Sequence, residues 1–401
     1  MMKETKMTDT YERRIVTAPA WMADFQCLAG DCPETCCQAW NIEVDPAHAE
    51  RFRALDDPDL QTVMNGLLRS VQVRHPGSGR KETLHRLMLT AHPGERCPLM
   101  NAAGGCRLQK KYGASMLCDT CYFHPRCFWQ VDGKTYMSAC LSCPECARRA
   151  LLSPGPADLI EFEAEIDPYT EWLETELIPE ADARTLMRKR DEMIAEAVRL
   201  LRDRRLPLAD RMMCVIGSYG SAEPSAGNSE IPDGAGLMEL FQQVFAPLSD
   251  TGEKPVREAE GFLFSLAGGR DSFSAVLWKN YREGCAILDP FLEANPHLME
   301  NFLVHSVFSD GFKQFHRCQN EALSAADILR HEAALLVCWY WLIRTRLAQA
   351  ALRNGGMDEE HFLKEMIAAD RRFWHYPDWF ARTADRLTKS GASLRMILQT
   401  I

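Results

Sequence analysis

The sequence predicts a mainly α protein in which a cysteine-rich, loop-rich metal-binding module at the N-terminal end is followed by an all-α helical domain. Three observations predict it. Twelve of the sixteen cysteines fall within the 120 residues from Cys27 to Cys146. From about residue 158 onward, apolar residues recur at three- and four-residue spacing between charged positions, as amphipathic helices require. The Gly-rich stretches at 215–220 and 266–269 follow no strand pattern, so they read as loops and a Rossmann-type domain is not expected. The division expected is a module over 15–152 and a helical domain over 157–401, with a Gly/Ser/Pro-rich connection at 217–236.

Composition narrows the partners. The 401 residues carry a formal charge of −10, with a pI of about 5.6, so the mean surface field repels nucleic-acid phosphates and anionic lipids. Neither a nucleic-acid nor a membrane partner is expected. The longest apolar run, AALLVCWYWLI at 333–343, is too short to span a bilayer and is bracketed by His331, Glu332, Arg344 and Arg346. Residues 1–14 are mostly polar, with no secretory or lipidation signal, which points to the cytoplasm. Thiols stay reduced there, so clustered cysteines favour a metal or redox role over a disulfide framework.

In chain order, IVTAPAWMADF at 15–25 leads into the first thiols, and Gly30, Asp31 and Pro33 place Cys27 and Cys32 on a loop. A short strand is expected over 41–44. Asp45 then reads as an N-cap with Pro46 at the first helical position, opening a helix over 46–55. Leu60, Val63, Met64, Leu67 and Leu68 predict a second helix over 59–71, followed by a turn at 75–81. FWQVDGKTYM at 128–137 predicts a hairpin about Asp132-Gly133, after which SACLSCPECARRALL starts a helix. Further helices are expected over 237–248, 297–308, 325–352, 358–371 and 378–389, with a buried stripe at Leu186, Met193, Ile194, Ala197, Val198 and Leu201.

The chemistry lies in the cysteine spacing: Cys27-x4-Cys32-x3-Cys36-Cys37-x2-Trp40, then Cys97 and Cys106, then Cys118-x2-Cys121, Cys127, and Cys140-x2-Cys143-x2-Cys146. A two-residue gap lets both sulfurs turn toward one ion or cluster. Isolated Cys214, Cys285, Cys318 and Cys338 read as small buried apolar residues of helices. The C-x3-C-x2-C element of radical S-adenosylmethionine enzymes is missing, since Cys32-x3-Cys36 has no thiol at position 39.

Taken with CPLM at Cys97, GCRLQKKYG at Gly105, the Cys121 to Arg126 element, SCPECAR at Ser142 and ENFLVHSVFSDGF at Glu300, this arrangement resembles the flagellin lysine-N-methylase family. That family is part of a wider CxxCxxCC group of zinc- or iron-chelating proteins. The resemblance implies methyl transfer from S-adenosyl-L-methionine to surface lysines of flagellin, with a [4Fe-4S] cluster as the expected centre and zinc as its alternative. It carries over to Cys27, Cys32, Cys36, Cys37, Cys97, Cys106, Cys121 and Cys143, and leaves Cys118, Cys127, Cys140 and Cys146 as additions of this chain. Four thiolates suffice for one cluster. The set favoured is Cys37, Cys97, Cys106 and Cys121, with Cys36 and Cys143 next.

Side chains near these thiols complete the candidate site. Tyr122 and Glu145 are the catalytic candidates, able to accept a lysine proton through water, and Arg126 and Trp40 are the cofactor-binding candidates. An alternative has Arg126 pair with Glu145 while Trp40 and Trp129 shield the metal, with His124 as a nitrogen ligand. The competing function is a non-enzymatic zinc- or iron-binding protein, whose module is a structural or redox staple on a helical interaction domain.

Overall fold

The computed structural model describes residues 11–35, 37–38, 40–74, 81–89, 96–155, 158–168, 170–220, 234–245, 273–312, 324–373 and 377–401. Cys36, Cys318, the turn at 75–80, the Gly-rich stretch 266–269 and most of the connection at 217–236 lie outside them. The chain divides into two compact units, Met1–Glu145 with Leu159–Trp172, and Cys146–Asp158 with Leu173–Ile401.

The first unit is built on two sheets. β1 (Arg13–Pro19), β5 (Arg126–Val131), β6 (Lys134–Ala139), β7 (Leu159–Glu165) and β8 (Glu171–Leu173) form a five-stranded sheet of order β7-β1-β6-β5-β8. Only β1 and β6 run parallel among the pairs whose register is described; β1–β7 and β5–β6 are antiparallel. β2 (Ile42–Val44), β3 (Leu68–Arg74) and β4 (Lys81–Leu87) form a second sheet of order β2-β4-β3. The β5–β6 hairpin turns at Asp132 and Gly133, both at positive φ (48° and 80°), the conformation a two-residue turn of this hand demands.

Helices fill the gaps between these sheets. α1 (Pro46–Arg53) starts as its sequence dictates: the Asp45 carboxylate accepts from His48 N–H at 2.9 Å, and Pro46 takes the first position. α2 (Pro58–Leu67) repeats the device with Asp57 and Pro58. Short α3 (Arg107–Tyr112) and α4 (Asp119–Phe123) follow, and α5 (Pro144–Leu151) begins at the unit boundary.

The sheets correct three sequence expectations. The helix expected over 59–71 stops at Leu67, because the β-branched alternation of LRSVQVR finds a full antiparallel partner in β4. The stretch after Asp158, expected as helix, opens with β7: LIEFEAE alternates at period two and pairs over seven residues with β1. β1 itself occupies the start of a segment to which no element was assigned.

The second unit is helical apart from the end of β8: α6 (Ala181–Arg188), α7 (Arg190–Leu201), α8 (Leu208–Ser218), α9 (Gly234–Val244), α10 (Phe273–Ala294), α11 (His297–Asp310), α12 (Ala325–Asn354), α13 (Glu359–Phe373), α14 (Pro377–Ser390) and α15 (Leu394–Thr400). α9, α11, α12, α13 and α14 match the predicted helices to within a few residues over the described residues, whereas α10 and α15 were not predicted, the stripe from Leu186 to Leu201 is divided between α6 and α7, and α8 takes up 215–218, expected as loop, with Cys214 exposed rather than buried. α12 is its axis. A capping box between Ser324 and Asp327 opens it, and Gly355 closes it in the left-handed conformation at φ 65°. Its apolar run 333–343 is buried along its whole length, and Trp341 packs edge-on against Phe241 and Phe245. On α11, buried Glu300 takes hydrogen bonds from Arg204 and Arg211, the latter at 2.7 Å, so the carboxylate keeps partners inside the core. Among the described residues no helix is long and apolar enough to cross a membrane.

α10 and α12 approach so closely that a Cβ on Gly284 would lie 2.1 Å from the Ala348 carbonyl oxygen. Backbone cannot yield there as a side-chain tip would. Gly284→Ala is therefore expected to lower unfolding stability by about 1–3 kcal/mol, read as a lower denaturant midpoint. An unchanged midpoint would rule out this crossing.

Candidate metal centre and adjoining cavity

Three backbone devices bring thiols from separate stretches into one apolar core. Cys97 N–H donates to Cys37 O at 2.8 Å, and Gln38 bridges Arg96, which joins the first cysteine loop to the Cys97 segment. Met100 then bridges Cys106, and Arg107 N–H donates to Leu99 O at 2.8 Å, folding the eight-residue loop back on itself. Cys106 stands directly before α3 and Cys118 directly before α4, so Cys121 falls in the first turn of α4. Cys97 and Cys118 belong to the buried core with Phe52, Leu67, Leu99 and Leu108, and Cys37, Cys106 and Cys121 pack against it.

The sulfurs act on one another electrostatically. Burial pushes the Cys97 thiol up to about 12, and Cys37, Cys106 and Cys118 add to the rise. Cys106 is raised chiefly by burial, with Cys37 and Cys118 contributing. Within the C-x2-C pair the Cys121 thiol donates to Cys118, which lowers Cys118 and holds the proton on Cys121. No cysteine among the described residues is in a disulfide. Thiols gathered in and against an apolar core are a costly arrangement, because Cys97, Cys106 and Cys121 are held protonated and each sulfur excludes better apolar packing. A soft cation reverses that cost by holding the thiolates. The donor set thus fits the cluster implied by the resemblance, and equally an all-sulfur zinc site.

The thiols line one wall of a cavity of about 660 Å³ inside the first unit. All the sequence-named site residues that are described line it: Cys37, Cys97, Cys106, Cys121, Cys143, Tyr122, Glu145, Arg126 and Trp40. Cys27 and Cys32 do as well. Cys118, set aside in the sequence as an addition to the family pattern, is grouped with the favoured four; the cue was its two-residue gap from Cys121. Cys127 and Cys140 instead face each other, with sulfurs 3.1 Å apart, and Cys146 is buried in α5. Trp40 lies against His124 with ring centroids 5.7 Å apart, and the Arg126 guanidinium sits 5.3 Å over the Phe25 ring. Glu145 is buried at the start of α5.

Sequence reasoning missed the part of the lining that comes from β7. The Tyr122 hydroxyl donates to Glu165 at 2.6 Å, and this bond, with burial, raises the Tyr122 phenol. Arg13 pairs with Glu163 at 3.0 Å, and both line the cavity. Phe162 supplies apolar surface. Only pairing with the distant β1 carries these residues to the site.

Behind the thiols, His48 Nδ1 meets Asp45 Oδ2 at 2.8 Å and Nε2 meets Ser115 O at 3.1 Å, while Tyr11 OH donates to Asp119 Oδ1 at 2.8 Å. Both ring nitrogens face acceptors, which suits imidazolium, so this Asp45, His48 and Asp119 group acts as a clamp on the Cys118 loop.

A model of the FliB lysine N-methylase C-terminal domain matches residues 237–397. The flagellar biosynthetic protein FliU of Salmonella muenchen is 30% identical over 148 residues, covering 36% of this chain and 82% of that protein. This chain belongs to the flagellin lysine-N-methylase family. Among its relatives, the lysine-N-methylases of Salmonella typhimurium strain LT2 and Salmonella choleraesuis strain SC-B67 are each 28% identical over 146 residues, 36% of this chain. That stretch spans 35% of each of those two proteins, about a third of their length. No solved structure matches the chain.

The clamp sets a pH signature. For Asp45, burial opposes ionisation, but hydrogen bonds from the His48 ring, His48 N–H and Asp119 N–H outweigh it and hold the carboxyl down at about 2. A depressed acid stabilises the fold above its usual value of 3.8 and loses that contribution as pH falls toward 2. For His48, burial again opposes the charge, but the bonds to Asp45 and Ser115 raise its pKa above 6.5; its contribution is complete below 6.5 and lost as pH rises through the raised value. Asp45→Asn keeps the cap and removes the charge. The stability gap between the unaltered chain and this variant, from urea unfolding, should therefore be widest between about pH 4 and 6.5 and close toward pH 2.

Proposed function

We propose that this lysine N-methylase family member transfers methyl groups from S-adenosyl-L-methionine to surface lysines of flagellin in the cytoplasm, and holds an iron-sulfur cluster on Cys37, Cys97, Cys106, Cys118 and Cys121, of which four suffice. The observation that carries the reading is the convergence of these thiols on a cavity that Tyr122 and Glu165 also line. A cavity of about 660 Å³ falls in the roughly 300–1,000 Å³ range of small-molecule sites, which supports room for a methyl donor beside the metal.

S-adenosyl-L-methionine, when bound, supplies an electrophilic methyl group. The protein must present a neutral lysine amine and remove one proton per transfer. Phe25, Phe123, Phe162 and Met137 make the walls apolar, and desolvation there lowers a lysine pKa. Tyr122 suits relay rather than phenolate chemistry, because its bond to Glu165 disfavours ionisation. Its oxygen accepts the amine proton while its own proton passes to Glu165, a path that Glu145 can serve from the other side. Arg126 and Trp40 line the same cavity, which supports roles in holding the carboxylate and the adenine of the methyl donor.

Methyl transfer from radiolabelled S-adenosyl-L-methionine to purified flagellin tests the reading. Lysine methylation by the unaltered chain is expected. Tyr122→Phe should reduce kcat by about 10²–10⁴-fold while leaving the melting-temperature rise on adding the methyl donor intact. Absence of both transfer and that rise in the unaltered chain would favour a metal-binding staple instead.

Cys97→Ser should lower bound metal to a small fraction of the unaltered level, and so should Cys118→Ser. Cys127→Ser, whose thiol does not line the cavity, should leave metal content near normal. Equal loss in all three would contradict the assigned set.

A further inference from the structure

We propose that the free edge of β7 receives an extended, lysine-bearing segment of the protein substrate as an added strand, delivering one lysine into the cavity beside Glu165. This rests on the methyltransferase reading of the same site.

Among the described residues β7 is an edge strand, hydrogen-bonded only to β1 in its sheet. The ladder phase follows from one bond. Ile166 N–H donates to Glu12 O at 2.9 Å, so 12 and 166 form a hydrogen-bonded antiparallel pair. Such pairs alternate with non-bonded ones, whose N–H and C=O groups point away from each other. Given the register Arg13↔Glu165, Ile15↔Glu163 and Thr17↔Glu161, the backbone groups of Glu161, Glu163 and Glu165 therefore face the open edge. These are the groups an added strand would pair with.

The side chains at the same positions define what fits. All three are glutamates, and period-two alternation puts them on one face. Ile15, 59% exposed, and Leu159, 43% exposed, flank them on that face and supply apolar contact. A second copy of this chain would set carboxylates against carboxylates, which repels. A segment carrying lysines meets them with opposite charge. Arg13 already pairs with Glu163, but both side chains are more than half exposed, so a substrate ammonium can replace the guanidinium at little cost. The strand also ends at the right place, because Phe162 to Glu165 line the cavity with the thiols and Tyr122.

The test exploits the ladder phase. Glu161→Pro removes an outward N–H and a carboxylate without breaking the pairing to β1. Double substitution Glu161→Gln with Glu163→Gln removes charge alone and keeps every backbone donor. With the full chain, radiolabelled S-adenosyl-L-methionine and flagellin, Glu161→Pro should raise KM for flagellin about tenfold and change kcat less than about twofold, and the double variant should raise KM about threefold. Hydrogen exchange should show the amides of Glu161, Glu163 and Glu165 slowed when flagellin is added. Unchanged KM in both variants, or no slowing of those amides, would overturn the proposal, as would slowing that appears without flagellin at high protein concentration. Loss of methyl transfer in the unaltered chain would instead fault the activity, and the exchange measurement would still decide the edge.

Discussion

The convergence of Cys37, Cys97, Cys106, Cys118 and Cys121 on one apolar core is the constraint on which the first unit depends, because these thiols belong to three local devices that meet there. The Cys37–Cys97 backbone bond ties two loops, the Cys106 turn starts α3, and the C-x2-C pair starts α4. Apolar packing positions these elements, and burial there, with Cys37, Cys106 and Cys118 nearby, drives the Cys97 thiol up to about 12. In the proposed centre a bound cation would turn that unfavourable burial into affinity, since protons would be exchanged for a cation in a low-dielectric site.

The clamp behind the cysteines and the strand in front of them act at different links of the chain from sequence to function. Asp45, His48 and Ser115 use a helix cap to fix the loop that carries Cys118, so an ordinary start signal becomes support for a site. β7 works by topology: it returns to β1 after the whole cysteine region has been threaded, and adds Glu163 and Glu165 to the lining of the cavity that the thiols share. A lysine-directed enzyme needs both, an electrophile held in a desolvated space and carboxylates where the amine enters and gives up its proton.

Local signals were legible wherever one residue type dictates one backbone state. Asp132-Gly133 announced the hairpin, Asp45-Pro46 the first helix, and the buried run 333–343 the helical axis of the second unit. That the candidate site residues, conspicuous thiols and their neighbours, belong together was legible as well: every described one lines the same cavity. Long-range pairing was not. LRSVQVR at the end of α2 and LIEFEAE after Asp158 carry strand alternation beside helical stretches, and only partners distant in sequence decide between the two periods. Cys118 was passed over for a different reason: the family pattern drew attention to Cys121, while the helical turn that presents both sulfurs together is visible only once α4 is placed.

The central claim is that the five thiols hold an iron-sulfur cluster. Iron, acid-labile sulfide and zinc determined on the full chain purified without oxygen, together with its visible absorption spectrum, test it most directly. The account predicts iron and sulfide in equal amounts near four per chain with a brown colour, as a [4Fe-4S] centre requires. Stoichiometric zinc without sulfide would contradict it and leave the thiols as a structural staple.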